Sequence, residues 1–258
     1  MPESDLALLI EAARQAGDIA RSYHGRADLA VQTKPQDDSP VSEADLAVNR
    51  ALERLLRDAR PGYGWLSEES ADDAARLGAE RVFVVDPIDG TRSFVAGEKS
   101  WAHSLAVVDD GVPVAAVVYL PLLDKLYTAG LGEGARLNGR PVTVSDHGET
   151  EGAQVLATRP NFEDRHWRGG VPDMRRNHRP SLAYRLGLVA EGQFDAMFTF
   201  RPSWEWDIAA GCLILSEAGA RVTDRRGAGL RFNNAVPQSD GVIGANPGLH
   251  AAILDRLA

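Results

Sequence analysis

Residues 84–94 read VVDPIDGTRSF. Two aspartates, Asp86 and Asp89, lie three positions apart around Pro87, and a glycine and a threonine follow. No lysine or arginine lies between them to neutralise them. The four residues before Asp86, Val82 to Val85, are all apolar, which suits a strand buried on both faces. Pro87 fixes φ and offers no N–H, so the chain turns as it leaves the core. That turn folds Asp89 back towards Asp86 and points the Ile88 carbonyl into the same space. Gly90 and Thr91 present backbone N–H groups at what reads as a helix start, a place that takes phosphate readily. Two carboxylates ~4 Å apart repel by ~4 kcal/mol at an effective dielectric near 20. Either one is protonated or a cation lies between them. Carboxylates with a backbone carbonyl are hard oxygen ligands that suit Mg²⁺ or Mn²⁺ rather than zinc. Two aspartates that cap turns and face water would give the same short pattern.

Further acids stand at the ends of other apolar runs. LSEES places Glu68 and Glu69 after a short strand, and WEWDIAAG places Asp207 in the first turn of an apolar helix. SPVSEAD places Asp45 three residues after Ser42, the spacing of a capping box at a helix N-terminus. Capping explains Asp45 and Asp207 equally well when each is taken alone.

The chain has 258 residues, 44% of them apolar, with a net charge of −9. This is enough for one large domain or two small ones sharing an interface. An acidic surface repels nucleic acid and anionic membrane, so neither is expected as a partner. The N-terminus has no basic signal-peptide region, and no apolar run is long enough to span a membrane. A cytoplasmic protein is expected. The single cysteine, Cys212, excludes an internal disulfide and reads as a small buried hydrophobe.

Leu6, Leu9, Ile10, Ala13, Ala16, Gly17 and Ala20 recur at helical spacing, which predicts a helix over 4–24 with Ser4 as its N-cap. KPQDDSP reads as a loop, and a second helix is expected from Ser42 to about Ala59. The following stretches alternate as strands, with a hairpin at Asp110-Gly111 and a turn at Asn138-Gly139. In the second half, SLAYRLGLVAEG, WDIAAGCLILSEAG and GLHAAILDRLA read as helices, and FDAMFTF, ARVTD and DGVIGA as strands. The stretch DHGETEG, 146–152, is the best boundary, giving an N-terminal α+β half over 1–148 and a C-terminal half over 149–258.

LSEES, VVDPIDGT and WDIAAG, in this order and spacing, resemble the three motifs of the inositol monophosphatase superfamily, magnesium-dependent and lithium-sensitive phosphomonoesterases. The likeness covers nearly the whole chain and implies an α+β fold of the layered αβαβα type. By position, it implies that Glu68, Asp86 and the Ile88 carbonyl hold a first Mg²⁺, and that Asp86, Asp89 and Asp207 hold a second. It also implies that Glu68 reaches a third, weaker ion. Thr91, hydrogen-bonded to Asp45, would orient or deprotonate the attacking water, and the Gly90 and Thr91 amides would hold the phosphate. Many relatives are homodimers.

The expected substrate comes from a narrower likeness, with an inositol-1-monophosphatase or broad-specificity phosphatase as the alternative. Inositol-specific members carry a glutamate on the strand before WD, where this chain has FTFRPSW with Phe200 and Arg201. SLAYRLGLVAEGQFDAMFTFRPSWEWDIAAG is similar to the 3′(2′),5′-bisphosphate nucleotidase branch, which acts on adenosine 3′,5′-bisphosphate. There Arg201 would meet the second phosphate and Phe200 the adenine. DGTRSF also resembles histidinol-phosphate phosphatases of the superfamily. The basic run MRRNHR, 174–179, is a further candidate for the second phosphate, or a solvated loop. A metal-dependent binding protein without catalysis is the alternative of another class.

Overall fold

The computed structural model of the chain describes residues 4–35 and 38–258. Part of the loop expected at KPQDDSP, Gln36 and Asp37, lies outside the described residues.

The chain opens with α1 (Asp5–Tyr23), β1 (Val31–Thr33), β2 (Pro40–Ser42) and α2 (Glu43–Ala59). There follow β3 (Gly64–Ser67), β4 (Arg81–Asp89), the short α3 (Thr91–Val95), β5 (Ala102–Asp109), β6 (Val112–Leu120), β7 (Lys125–Gly130), β8 (Gly134–Leu137) and β9 (Arg140–Pro141). The second half contains β10 (Gln154–Leu156), β11 (Arg175–Asn177), α4 (Leu182–Ala190), β12 (Ala196–Thr199), β13 (Ser203–Trp204) and α5 (Glu205–Glu217). It closes with β14 (Arg221–Thr223), β15 (Gln238–Ser239), β16 (Val242–Ala245) and α6 (Pro247–Arg256).

Strands β3 to β9 form one seven-stranded sheet in sequence order, antiparallel except for β3 beside β4. A second sheet runs β11-β10-β12-β16-β14. Helices α1 and α2 bury Leu9, Ala13, Leu52 and Leu56 with Phe83, Val85 and Leu105 on one face of the large sheet. Helices α4 and α5 pack on its other face, where Leu186, Ile208 and Ile214 meet Val84, Ala106 and Val118. The far face of the smaller sheet buries Phe198, Phe200 and Ile243 with Leu249 and Ile253 of α6. The order of layers is therefore helix, sheet, helix, sheet, helix, the expected αβαβα arrangement.

Local signals act as anticipated where they are strong. Ser42 accepts from the amides of Ala44 and Asp45, and Asp45 accepts from the Ser42 amide, completing the capping box. Asp110 and Gly111 both take positive φ between β5 and β6, the geometry a two-residue hairpin requires. The strands that the sequence does not announce, β1, β2, β11, β13 and β15, are only two or three residues long. Among the described residues no helix is long and apolar enough to cross a membrane.

Candidate active site

The central sheet positions the first carboxylates through an irregularity. Asp86 pairs with Ser104 and Asp89 with Ala102, so β4 carries one more residue there than β5. In a regular strand two residues three apart face opposite sides. The extra residue resets the alternation and brings both aspartates to one cleft. Pro87 fits there because it has no ladder N–H to lose. The Asp86 carboxylate accepts the Ile88 amide at 2.9 Å, which tightens the bend. Gly90 follows with φ of 99°, which a residue bearing Cβ rarely adopts, and starts α3.

Glu68 enters from the end of β3, where its amide donates to the Val85 carbonyl. Asp207 enters from the first turn of α5. Oxygen atoms of Glu68, Asp86 and Asp207 lie within 4.8 Å of one another. Asp86 is 1% exposed. Burial, then the charges of Glu68 and Asp89, push its pKa well above the carboxylate range. Burial and the charges of Asp89 and Glu68 do the same to Asp207. An all-oxygen trio in which Asp86 and Asp207 are hard to ionise unaided suits a hard divalent cation, which would reverse both shifts.

Asp89 borders this trio without joining it. Its Oδ2 accepts from the Ser181 hydroxyl at 2.6 Å and the Ala183 amide at 2.7 Å, at the start of α4. Burial raises its pKa to about 6 against these bonds. The Ile88 carbonyl lines the cleft and is 3.1 Å from the Thr91 hydroxyl. That hydroxyl also lies 3.0 Å from Asp45 Oδ1, so the expected Thr91–Asp45 pair is formed. The other Asp45 oxygen accepts from the Ser42 amide and hydroxyl. Burial raises the Asp45 pKa against these bonds.

The cleft encloses about 770 Å³ between the two sheets. Another part of its lining is cationic, formed by Arg201 and Arg185. His178, whose pKa burial and the neighbouring arginines lower, and Trp204 also line the cleft. Arg201 carries positive charge towards Asp207. Among the described residues its guanidinium has no hydrogen-bond partner.

Phe200 departs from expectation. It is 5% exposed, stacks on Phe198 at 5.2 Å and packs beside Trp167, away from the cleft. Phe198 and Phe200 are two apart in extended chain and share the face covered by α6, which leaves Arg201 for the other side. No base can stack on Phe200 there. Trp204 takes its place as the cleft aromatic, backed by Trp206 at 4.7 Å. Glu205 also turns away: it is buried and accepts from the Asn233 and Asn234 amides and the Asn234 side chain.

Arg185 in the cleft and Lys34 beside it were not anticipated from the sequence, and His178 only as part of the 174–179 run. Arg185 lies in α4, 4% exposed, and burial lowers its pKa to about 10 although Asp89 opposes the shift. Its signal was available, since it is the one charged residue of LAYRLGLVA. His178 stands beside it, with Nδ1 3.3 Å from the guanidinium. Only this member of the 174–179 run reaches the cleft; Arg175 and Arg176 are exposed on β11. Lys34 reaches Glu68 at 2.7 Å and Glu69 at 2.6 Å. Burial opposes its charge, but the two glutamates raise its pKa. Burial and Glu68 push Glu69 up to about 7. Nothing local in TKP predicts that long-range pairing.

Comparison with known proteins bears on this arrangement. A family model described as "Inositol monophosphatase family" matches residues 1–258. The inositol-1-monophosphatase of Rhizobium meliloti (strain 1021) is 37% identical over 87% of this chain and 86% of its own length. The histidinol-phosphatase of Mycobacterium tuberculosis (strain ATCC 25618 / H37Rv) is 35% identical over 100% of this chain and 99% of its own. The crystal structure of the extragenic suppressor protein SuhB from Bartonella henselae superposes with a TM-score of 0.81 at 29% identity, covering 96% of both chains. The chain thus belongs to the inositol monophosphatase family and is a phosphoric monoester hydrolase.

Proposed function

We propose that the chain is a Mg²⁺-dependent phosphomonoesterase whose preferred ester carries a second anionic group, best matched by adenosine 3′,5′-bisphosphate. Glu68, Asp86 and Asp207 would hold Mg²⁺, with Asp89 and the Ile88 carbonyl at the edge of the site. Divalent ions bound there would offset the carboxylates, lower the pKa of the attacking water and neutralise charge developing on the phosphoryl oxygens. The Thr91 hydroxyl donates to Asp45 and leaves its lone pairs to accept a hydrogen bond from that water. Asp45 then takes the proton through Thr91. The Gly90 and Thr91 amides, at the start of α3, orient the phosphate.

The observation that carries the choice of substrate is the charge of the cationic part of the cleft lining. Arg201 and Arg185 form it, and Glu205, the nearby carboxylate, is committed to the Asn233–Asn234 turn. Inositol hydroxyls need acceptors there, and histidinol phosphate brings an ammonium that would face two guanidinium groups. A second phosphate meets a forked donor, and a base has the Trp204 face. The histidinol reading keeps specific support in the DGTRSF likeness and in two relatives of that name, one aligned over the entire chain.

The test is a panel of phosphate esters with Mg²⁺, ranked by kcat/KM. Adenosine 3′,5′-bisphosphate is expected to exceed inositol 1-phosphate by about tenfold or more, which is only ~1.4 kcal/mol. Inositol 1-phosphate equal or ahead overturns the nucleotidase reading. Histidinol phosphate ahead of both replaces it with the histidinol reading.

A further inference from the structure

The strand behind the carboxylate bend holds a histidine that no step above uses. His103 lies on β5 between Ala102 and Ser104, opposite the extra residue of β4, and is fully buried. Its Nδ1 makes a hydrogen bond with the Pro87 carbonyl oxygen. A carbonyl only accepts, so Nδ1 carries the proton. Burial lowers the ring's pKa to about 4, so it is neutral near pH 7 and Nε2 is a bare acceptor. Among the described residues Nε2 has no partner, and neither has Nε1 of Trp101, whose ring is 5.5 Å away.

That placement is poor for stability. A buried polar atom left unpaired costs ~1–3 kcal/mol. A leucine would fill similar space without that cost. What the imidazole provides is the bond to Pro87. The peptide between Pro87 and Ile88 is then held at both ends: its carbonyl by His103, its N–H by the Asp86 carboxylate. A peptide unit is planar and turns as one piece. Releasing its carbonyl would let it rotate, and the Asp86 carboxylate and Ile88 carbonyl would shift with it.

We propose that His103 is a positioning residue for the metal centre, holding the Pro87–Ile88 peptide so that Asp86 and the Ile88 carbonyl face the cation. This rests on the Mg²⁺ reading given above. Partners that orient ligands in this way typically change metal affinity by about 10- to 100-fold when removed.

The experiment measures Mg²⁺ binding by titration calorimetry and metal-free melting temperature for the wild type, His103→Leu and His103→Asn. Asn places an N–H donor at the same bond distance from the backbone as Nδ1. The Leu variant is expected to melt at or above the wild-type temperature and yet bind Mg²⁺ about tenfold more weakly or worse. The Asn variant should recover affinity to within about threefold of wild type. A purely structural histidine would lose stability and affinity together. Wild-type affinity in the Leu variant overturns the proposal, as does equal weakness of Leu and Asn. If the Leu variant does not fold, His103→Gln replaces it: its amide reaches one carbon further, so Gln binding as well as Asn also overturns the proposal. Wild-type protein that binds no Mg²⁺ overturns the metal reading itself, whereas tight wild-type binding unaffected by Leu overturns only the role of His103.

Discussion

The two walls of the cleft carry opposite charge and are built differently. One wall gathers Glu68, Asp86 and Asp89 at the ends of β3 and β4, with Asp207 arriving from α5. Asp86 and Asp89 are held by a bulge, a proline and a left-handed glycine, and burial with neighbouring charge makes Asp86 and Asp207 hard to ionise. The other wall carries Arg185 on α4 and Arg201 in the chain after β12, and α4 is tied to the bulge through the bonds of Ser181 and Ala183 to Asp89. Under the proposed function the contrast separates chemistry from choice: the anionic wall would handle the phosphoryl group, and the cationic wall would read what is attached to it.

The largest effect should come from the anionic wall. Thr91→Ala is expected to lower kcat by about 10²- to 10⁴-fold with little change in KM, because the lost contact acts mainly in the transition state. Thr91→Ser should retain most of the rate. Similar, high activity in both variants, measured at saturating Mg²⁺, would reduce Thr91 to a residue that merely begins α3.

The next effect is on stability. Burial first, and neighbouring acids after it, raise the carboxyl pKa values, to about 6 for Asp89 and about 7 for Glu69. A raised acid favours the folded state below its unfolded pKa, ~4, and that contribution is lost as pH climbs through the folded value. Metal-free protein should therefore lose melting temperature between pH 4 and about 7. Added Mg²⁺ should restore more of it at pH 7 than at pH 5. A stabilisation by Mg²⁺ that is the same at both pH values would break the link between the acids and the cation.

The smallest effect concerns Phe200. Its ring belongs to the core between the small sheet and α6, so Phe200→Leu should cost about 1 kcal/mol of stability. The ratio of kcat/KM between two phosphate esters should stay as it was. A shift in that ratio would place Phe200 back in the substrate's path.

These differences also mark what was legible in the sequence. The capping box at Ser42 and Asp45, the Asp110-Gly111 hairpin and the DPIDG bend are local: each is set by residues within about five positions, so spacing alone exposes them. The three acidic motifs could be matched as a set because each borders a recognisable apolar element. What was hidden depends on long-range packing. Phe200 was misplaced because only Trp167 and α6 decide which face of that strand is covered. Asp89 was read as a cation ligand only, while its bonds to Ser181 and Ala183 join residues 92 and 94 positions away. Lys34 meets Glu68 and Glu69 across a fold that no local pattern in the chain implies.

The division between the walls is tested most directly by Arg201→Ala, with kcat/KM measured on adenosine 3′,5′-bisphosphate and on p-nitrophenyl phosphate, which has no second anion. The loss on the bisphosphate should exceed the loss on p-nitrophenyl phosphate by about tenfold and appear mainly in KM, as for a contact made in ground and transition state alike. Equal losses on both esters would contradict the division and assign Arg201 to the chemistry itself.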